Sequence, residues 1–340
     1  MKTTKKKAEK VLENEKLMNT VLNILRKRSI KALQIARKQI LTMNIEEGKA
    51  RKALEHYATN WDDTTHPGIL SLACEAVGGN PDEARPMQVV TLLLTAAMDI
   101  HDDIVDQSKI KNGRPTVFGK FGRDIALLLG DAILLKGFTL LYTCGESLSP
   151  ETMRAIINTI EDNFFEVGNA HLLEIDFRGK LDIMPAKYLR VLEMKASNIA
   201  VHAQIGAIIG RGSPAEIRGL GKYGKILGTL ITLREEFIDV FEPEELQNRM
   251  KNECLPLPIL YAFKNSHAKE TILDILSKSR ISSEDAQKIV DIVFEAKAVK
   301  RFRNQMQHLA KEALQSISGV KNQQVKSYLT LLVQGALEDL

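Results

Sequence analysis

The sequence predicts an all-α fold, and three observations carry that expectation. Apolar–polar alternation over four to eight residues, the mark of a half-buried strand, is almost absent. Apolar residues recur instead near helical spacing along long stretches that end in Gly, Pro and Asn clusters. The composition, 44% hydrophobic, 26% charged and only 5% aromatic, is that of a globular chain rich in helix formers. At 340 residues the chain has ample length for a sizeable core, and no repeat of 20–50 residues is evident.

Residues 1–45 read as a long basic helix, with Val11, Leu12, Leu17, Val21, Leu22, Ile24 and Leu25 near helical spacing. This segment is expected to be an N-terminal arm, with residues 46–340 forming a single catalytic domain. A second helix over 46–60 ends in Asn60-Trp61-Asp62-Asp63-Thr64-Thr65-His66-Pro67, where turn formers before a proline assign Asp62 and Asp63 to a loop or cap. Residues 69–77 form a short apolar helix stopped by Gly78-Gly79-Asn80-Pro81. The next helix runs from about 83 to 106. Further helices are expected over 124–141, 151–177, 186–209, 214–241, 256–262, 267–278, 283–316 and 321–338.

Net charge is +4, concentrated near the start in Lys2, Lys5, Lys6, Lys7 and Lys10 and again in Arg26-Lys27-Arg28. The segment lacks the interleaved aromatics that stack on bases, so no nucleic acid is expected and at most peripheral membrane contact. Cys74, Cys144 and Cys254 are widely spaced with no Cys-x-x-Cys pair, which reads as reduced thiols rather than a disulfide frame or zinc site. No apolar run is judged to reach the about 18–20 residues of a membrane span, and no signal peptide is recognised. A cytoplasmic protein is expected.

Function is concentrated in two acidic clusters. Asp102, Asp103 and Asp106 stand at i, i+1 and i+4 at the end of the 83–106 helix, so Asp102 and Asp106 share a face with Asp103 beside them. A helix C-terminus is electrostatically adverse for carboxylates, which implies that cations are expected there. Glu235, Glu236 and Asp239 repeat the spacing. Hard carboxylate oxygens suit Mg²⁺, which takes one or two of them and bridges to substrate phosphates. Solvated acidic helix faces are the alternative for either cluster taken alone.

With Gly113-Arg114-Pro115-Thr116 and Leu129-Gly130-Asp131-Ala132 following Asp102-Asp103-Ile104-Val105-Asp106, the chain resembles the trans-isoprenyl diphosphate synthases, or polyprenyl synthetases, over roughly residues 50–262. The resemblance implies an isoprenoid-synthase-type antiparallel helical bundle around a central apolar pocket, usually a homodimer. It implies Mg²⁺ bound by Asp102, Asp103, Asp106, Glu235, Glu236 and Asp239. An allylic prenyl diphosphate would be ionised there, and the double bond of isopentenyl diphosphate would attack the cation. Lys195 holds the place of a family lysine and Arg114 that of a diphosphate contact. His171 and Glu174 stand where the family has Gln-x-x-Asp, and Thr232 where it has the Gln of a Phe-Gln pair. Arg234, beside the second cluster, would balance its charge or touch a phosphate.

The departures bear on the second substrate. The family's Gly-Gly-Lys is matched to Gly78-Gly79-Asn80, leaving Arg85 as the main cation of that subsite. Thr95 replaces a histidine, Lys111 and Asn112 replace paired arginines, and Cys254 replaces a lysine. Three readings therefore stand: a divergent prenyltransferase, with isopentenyl diphosphate or another acceptor; a class I terpene synthase built on this scaffold; and a non-catalytic partner subunit.

Overall fold

The computed structural model describes the backbone of residues 2–111, 113–278 and 280–337 and the side chains from Lys16 onward. The lysines at 2, 5, 6, 7 and 10 therefore lie outside the described side chains, and Asn112 outside the described residues. In chain order the helices are α1 (Lys2–Leu41), α2 (Lys49–Asn60), α3 (Thr65–Ala76), α4 (Arg85–Val105), α5 (Val117–Phe121), α6 (Arg123–Gly145), α7 (Pro150–Ile175) and α8 (Pro185–Lys195). They continue as α9 (Ser197–Ile209), α10 (Pro214–Ile238), α11 (Pro243–Asn252), α12 (Leu257–Ala262), α13 (Ser266–Leu276), α14 (Ser283–Glu295), α15 (Lys297–Ser316) and α16 (Gln323–Ala336). Among the described residues the strands are β1 (Ile110–Lys111) and β2 (Arg114–Pro115), an antiparallel two-residue pair. The fold is all-α.

Three differences from the expected elements have local causes. The stretch 186–209 is two helices, because the chain turns at Ala196. The stretch 283–316 divides where Ala296 takes an extended conformation with ψ 126°. Helix α11 begins directly at Pro243, whose fixed φ suits the first turn, and its polar sequence gave little periodic signal.

Helix α4 is the axis of the bundle. Pro86 starts it without loss of a needed hydrogen bond, and its apolar residues divide between two faces. Val89, Leu93, Ala96 and Ile100 join Leu33, Ala36 and Ile40 of α1 with α2 and α6; Met87, Val90 and Leu94 meet α3, α7 and α9. A third apolar cluster packs α8 and α10 against the C-terminal helices, with Val21 and Leu25 of α1 in it. The expected boundary at residue 45 thus coincides with no change in packing: from Val21 onward α1 supplies buried core. Helix α9 runs close to its neighbours because Gly206 has no Cβ, which would lie 2.1 Å from the Leu70 carbonyl oxygen.

Helix α6 departs from the sequence expectation about membrane spans. By length and composition it is apolar enough to cross a bilayer, yet in this fold it packs along α4 and only a third of its apolar window is buried. Leu128, Leu135 and Tyr142 on α6 and Phe165 and Leu172 on α7 are 64–73% exposed, an apolar face far larger than isolated surface leucines explain.

Candidate active site

The first acidic cluster sits where α4 ends. Asp106 closes the helix, its N–H donating to the Asp102 carbonyl, and Gln107 takes φ 58°, turning the chain sharply. The β1–β2 hairpin then folds back along α4. Thr116 pins it, donating its hydroxyl to the Ser108 carbonyl (2.7 Å) and accepting the Gly119 N–H at the start of α5. The return places Lys111 Nζ 2.5 Å from Asp99 Oδ1 and 3.7 Å from Asp103 Oδ1. Asp99 lies one turn before Asp103 on the same face, an i, i+4 spacing already visible in the sequence.

Each aspartate of the cluster meets a nitrogen-bearing side chain from a different element. His171 Nδ1 of α7 is 3.0 Å from Asp102 Oδ1, and Arg178 Nη2, just beyond α7, is 3.5 Å from Asp106 Oδ1 while also donating to the Val105 carbonyl. Lys195, at the last turn of α8, forms a close ion pair with Glu174 and adds its charge opposite Asp102 and Asp106. Burial opposes ionisation of Asp102, but the His171 contact and the Lys195 charge hold its carboxyl well below the usual range. Burial pushes Asp103 up to about 7 against the pull of Lys111. Burial and the charge of Asp102 push Asp106 up to about 8. Crowded, half-desolvated carboxylates of this kind favour a further positive charge among them. His101 stands 3.2 Å from Asp131 Oδ1, close against Gly130, where a Cβ would lie 2.4 Å from its Nε2.

The second cluster divides. Glu236 points into the interior: Oε1 accepts from Arg249 Nη2 (2.6 Å) and Tyr188 Oη (3.1 Å), and Oε2 accepts the Leu257 N–H (2.6 Å). Asp239 is in a close ion pair with the same Arg249, whose Nε donates to the Cys254 carbonyl. The expectation that Glu236 is a metal ligand meets a physical obstacle, since both its oxygens are committed in a buried network. Glu235 alone of the three is exposed, and its charge reaches Lys111 and His66 across the gap to the first cluster.

Between the α2–α3 connection, the middle of α4 and the hairpin lies a cavity of about 560 Å³, opening beside Asp103. Tyr57 and Trp61 stack on one side with ring centroids 5.6 Å apart. Asp63 accepts from the N–H groups of Thr65 and His66, the cap role expected of it. Its other oxygen lies 2.7 Å from His66 Nδ1, and both residues line the cavity with Thr95, Lys111 and Arg114. His66 Nε2 is 3.1 Å from the Asn198 amide, and its ring lies 4.7 Å from that of His202.

Arg85 is not brought to this site. It pairs with Asp82 at the first turn of α4, and the seventeen residues to Asp102 at ~1.5 Å per residue put about 26 Å between them. Gly78-Gly79 belongs to the α3–α4 turn, packed on Gly210 and Cys74, so matching it to the family's glycine pair misplaced the subsite; residues 61–66 occupy the cavity wall instead. Arg234 and Glu235 line a separate small cavity against α1 and α16, and Thr232 lies half-buried one turn before Glu236. Arg178, Arg249, Tyr188 and the Asp63–His66 pair were not anticipated as partners of the acidic clusters.

Comparison with known proteins gives the family and the fold. A family model described as "Polyprenyl synthetase" matches residues 47–293. The chain is 28% identical over 277 residues to the short chain isoprenyl diphosphate synthase of Methanothermobacter thermautotrophicus, covering 81% of each chain. It is 28% identical over 246 residues to the geranylgeranyl diphosphate synthase of Methanosarcina mazei, covering 70% of this chain and 74% of that one. In fold it is similar to geranylgeranyl pyrophosphate synthetase from Pyrococcus horikoshii, with TM-score 0.82, 19% identity, and coverage of 95% and 99% of the two chains.

Proposed function

The chain belongs to the polyprenyl synthetase family, a family of prenyltransferases, and from that premise we propose that it ionises an allylic prenyl diphosphate at the C-terminal end of α4. One observation carries the reading. Three aspartates, two of them buried, stand at the end of α4 with Lys195, Lys111, His171 and Arg178 around them, and Asp103 lines the adjoining cavity. Such an arrangement combines carboxylates for hard cations with cations for phosphate oxygens.

The residues suit Mg²⁺: Asp102 and Asp106, with Asp103 beside them, would hold it, and the charge of Glu235 would add to theirs. Among the described residues no three His, Cys, Asp or Glu side chains form a preformed cage; Mg²⁺ needs only one or two carboxylates when diphosphate and water complete its shell. Bound there, Mg²⁺ would neutralise the charge that develops on the departing diphosphate. The chain's own residues do the rest. Lys195 offers N–H donors to the allylic diphosphate, Arg114 stands at the cavity wall, and the His171 contact keeps Asp102 ionised. Buried α4 and α9 side chains keep water from the carbocation. The second carboxylate network, through Arg249, fixes the α10 end, from which the Glu235 charge reaches Lys111.

We also propose a homodimer formed through the exposed apolar face of α6 and α7, which a second copy would cover. The three unpaired cysteines support a reducing compartment, the cytoplasm. The named relatives are synthases, which favours transfer to an acceptor over intramolecular cyclisation. The test is mass spectrometry of incubations with farnesyl or geranylgeranyl diphosphate and Mg²⁺. A prenylated product supports transfer. A hydrocarbon formed with no acceptor present would move the protein to the terpene synthases, and an inert chain to the partner-subunit reading.

A further inference from the structure

The cavity beside Asp103 is where a second substrate can reach an ionising prenyl chain, and two of its basic groups, His66 and Lys111, are already held by carboxylates. His66 is held by Asp63 at 2.7 Å. Lys111 is held by Asp99 at 2.5 Å, with Asp103 behind it at 3.7 Å. Arg114 contacts Asn60 at 3.4 Å and is exposed on the hairpin. The wall thus sets four carboxylates, Asp62, Asp63, Asp99 and Asp103, against two full cations, Lys111 and Arg114, and two histidines, His56 and His66. A polyanionic second diphosphate entering here would have to pull Lys111 and His66 away from carboxylates that stay behind, unpaired and repelling it. A cationic acceptor would meet Lys111 and Arg114. The stacked Tyr57 and Trp61 supply an apolar wall, and Thr95 and Asn60 supply neutral hydrogen-bonding groups.

We propose that this cavity is the acceptor subsite and that it takes an uncharged acceptor in place of a second diphosphate, with Asp63 and Asp99 determining that choice by tying up His66 and Lys111. The inference rests on the ionising reading above. In the transfer, the C1–O bond of the allylic diphosphate breaks and its electron pair leaves with the diphosphate. The acceptor's alkene or hydroxyl supplies the pair for the new bond to C1, and one acceptor proton passes to the released diphosphate. Atoms and charge balance with no further reagent.

The experiment compares two acceptors that share one carbon skeleton, isopentenyl diphosphate and its uncharged alcohol 3-methylbut-3-en-1-ol. Each is supplied with geranylgeranyl diphosphate and Mg²⁺, and both prenylated product and free diphosphate are measured. The expected result is a kcat/KM at least tenfold higher for the alcohol. In Asp99→Asn, a half-buried position whose isosteric change keeps the side-chain volume, freed Lys111 should shift the ratio at least tenfold toward isopentenyl diphosphate. Asp63→Asn should shift it the same way. Preference for isopentenyl diphosphate in the unaltered protein, or a ratio unmoved in folded Asp99→Asn, overturns the proposal. Diphosphate released with transfer to neither acceptor also overturns it while leaving the ionising function standing. No diphosphate release under any condition removes the ionising function itself, and this inference with it.

Discussion

Arg249 Nη2 lies 2.6 Å from Glu236 Oε1 in the protein interior, and the same guanidinium bonds Tyr188 Oη at 2.6 Å and pairs with Asp239. A buried arginine serving two carboxylates is a structural clamp. It holds the end of α10 to α8 and to the segment entering α12. Removing it strands two carboxylates, which is the costly way to break a buried pair. Arg249→Met is expected to lower unfolding stability by about 3–5 kcal/mol, read from urea denaturation followed by circular dichroism.

The division of the second acidic cluster predicts opposite phenotypes for adjacent residues. Glu236→Gln should destabilise the fold, because its oxygens serve Arg249, Tyr188 and the Leu257 N–H. Glu235→Gln, on the exposed side, should leave stability within about 0.5 kcal/mol and raise the Mg²⁺ concentration needed for half-maximal turnover. Equal stability losses in the two variants would contradict this assignment.

The contrast also marks how far the sequence could be read. The spacing of Asp102, Asp103 and Asp106 follows from helix geometry alone, and in the structure the charge of Asp102 acts on both Asp103 and Asp106 at the end of α4. Glu235, Glu236 and Asp239 have the same spacing, but which of them stays out of the buried network depends on Arg249 and Leu257. Those partners arrive through the α11 turn, and no local pattern announces it. Asp63 was legible as a cap; its second role, holding His66 on the cavity wall, needed the packing of α3 against α9. Arg85 was misplaced by a glycine pair that serves a turn, and the length of α4 was enough to expose the error.

His202 gives a pH dependence with a definite sign. Burial, with the neighbouring His66 adding to it, lowers its folded pKa from 6.5 to about 3. Between those values the unfolded chain binds a proton that the folded chain does not. Stability is therefore fully present above pH 6.5 and falls as the pH drops toward 3, by up to about 1.4 kcal/mol per pH unit from this group. His66 has the opposite sign. Burial opposes its protonation, but Asp63, Asp99 and Glu235 outweigh that and raise its pKa, so its contribution is full below 6.5 and lost as the pH rises through the raised value. Chemical denaturation from pH 4 to 6.5 should show a shallower slope in His202→Gln than in the unaltered protein.

The exposed α6–α7 face predicts that Leu128→Glu with Leu135→Glu converts a dimer into a monomer. Sedimentation velocity at micromolar concentration checks this. A protein already monomeric before substitution would contradict the proposed interface.

The central claim is that the end of α4 ionises an allylic diphosphate. Its most direct test is the rate of diphosphate release from geranylgeranyl diphosphate with Mg²⁺, measured for the unaltered protein and for Asp102→Asn. The account predicts Mg²⁺-dependent release that falls at least a hundredfold in Asp102→Asn while circular dichroism and thermal unfolding stay unchanged. Undiminished release from a folded Asp102→Asn protein would contradict it.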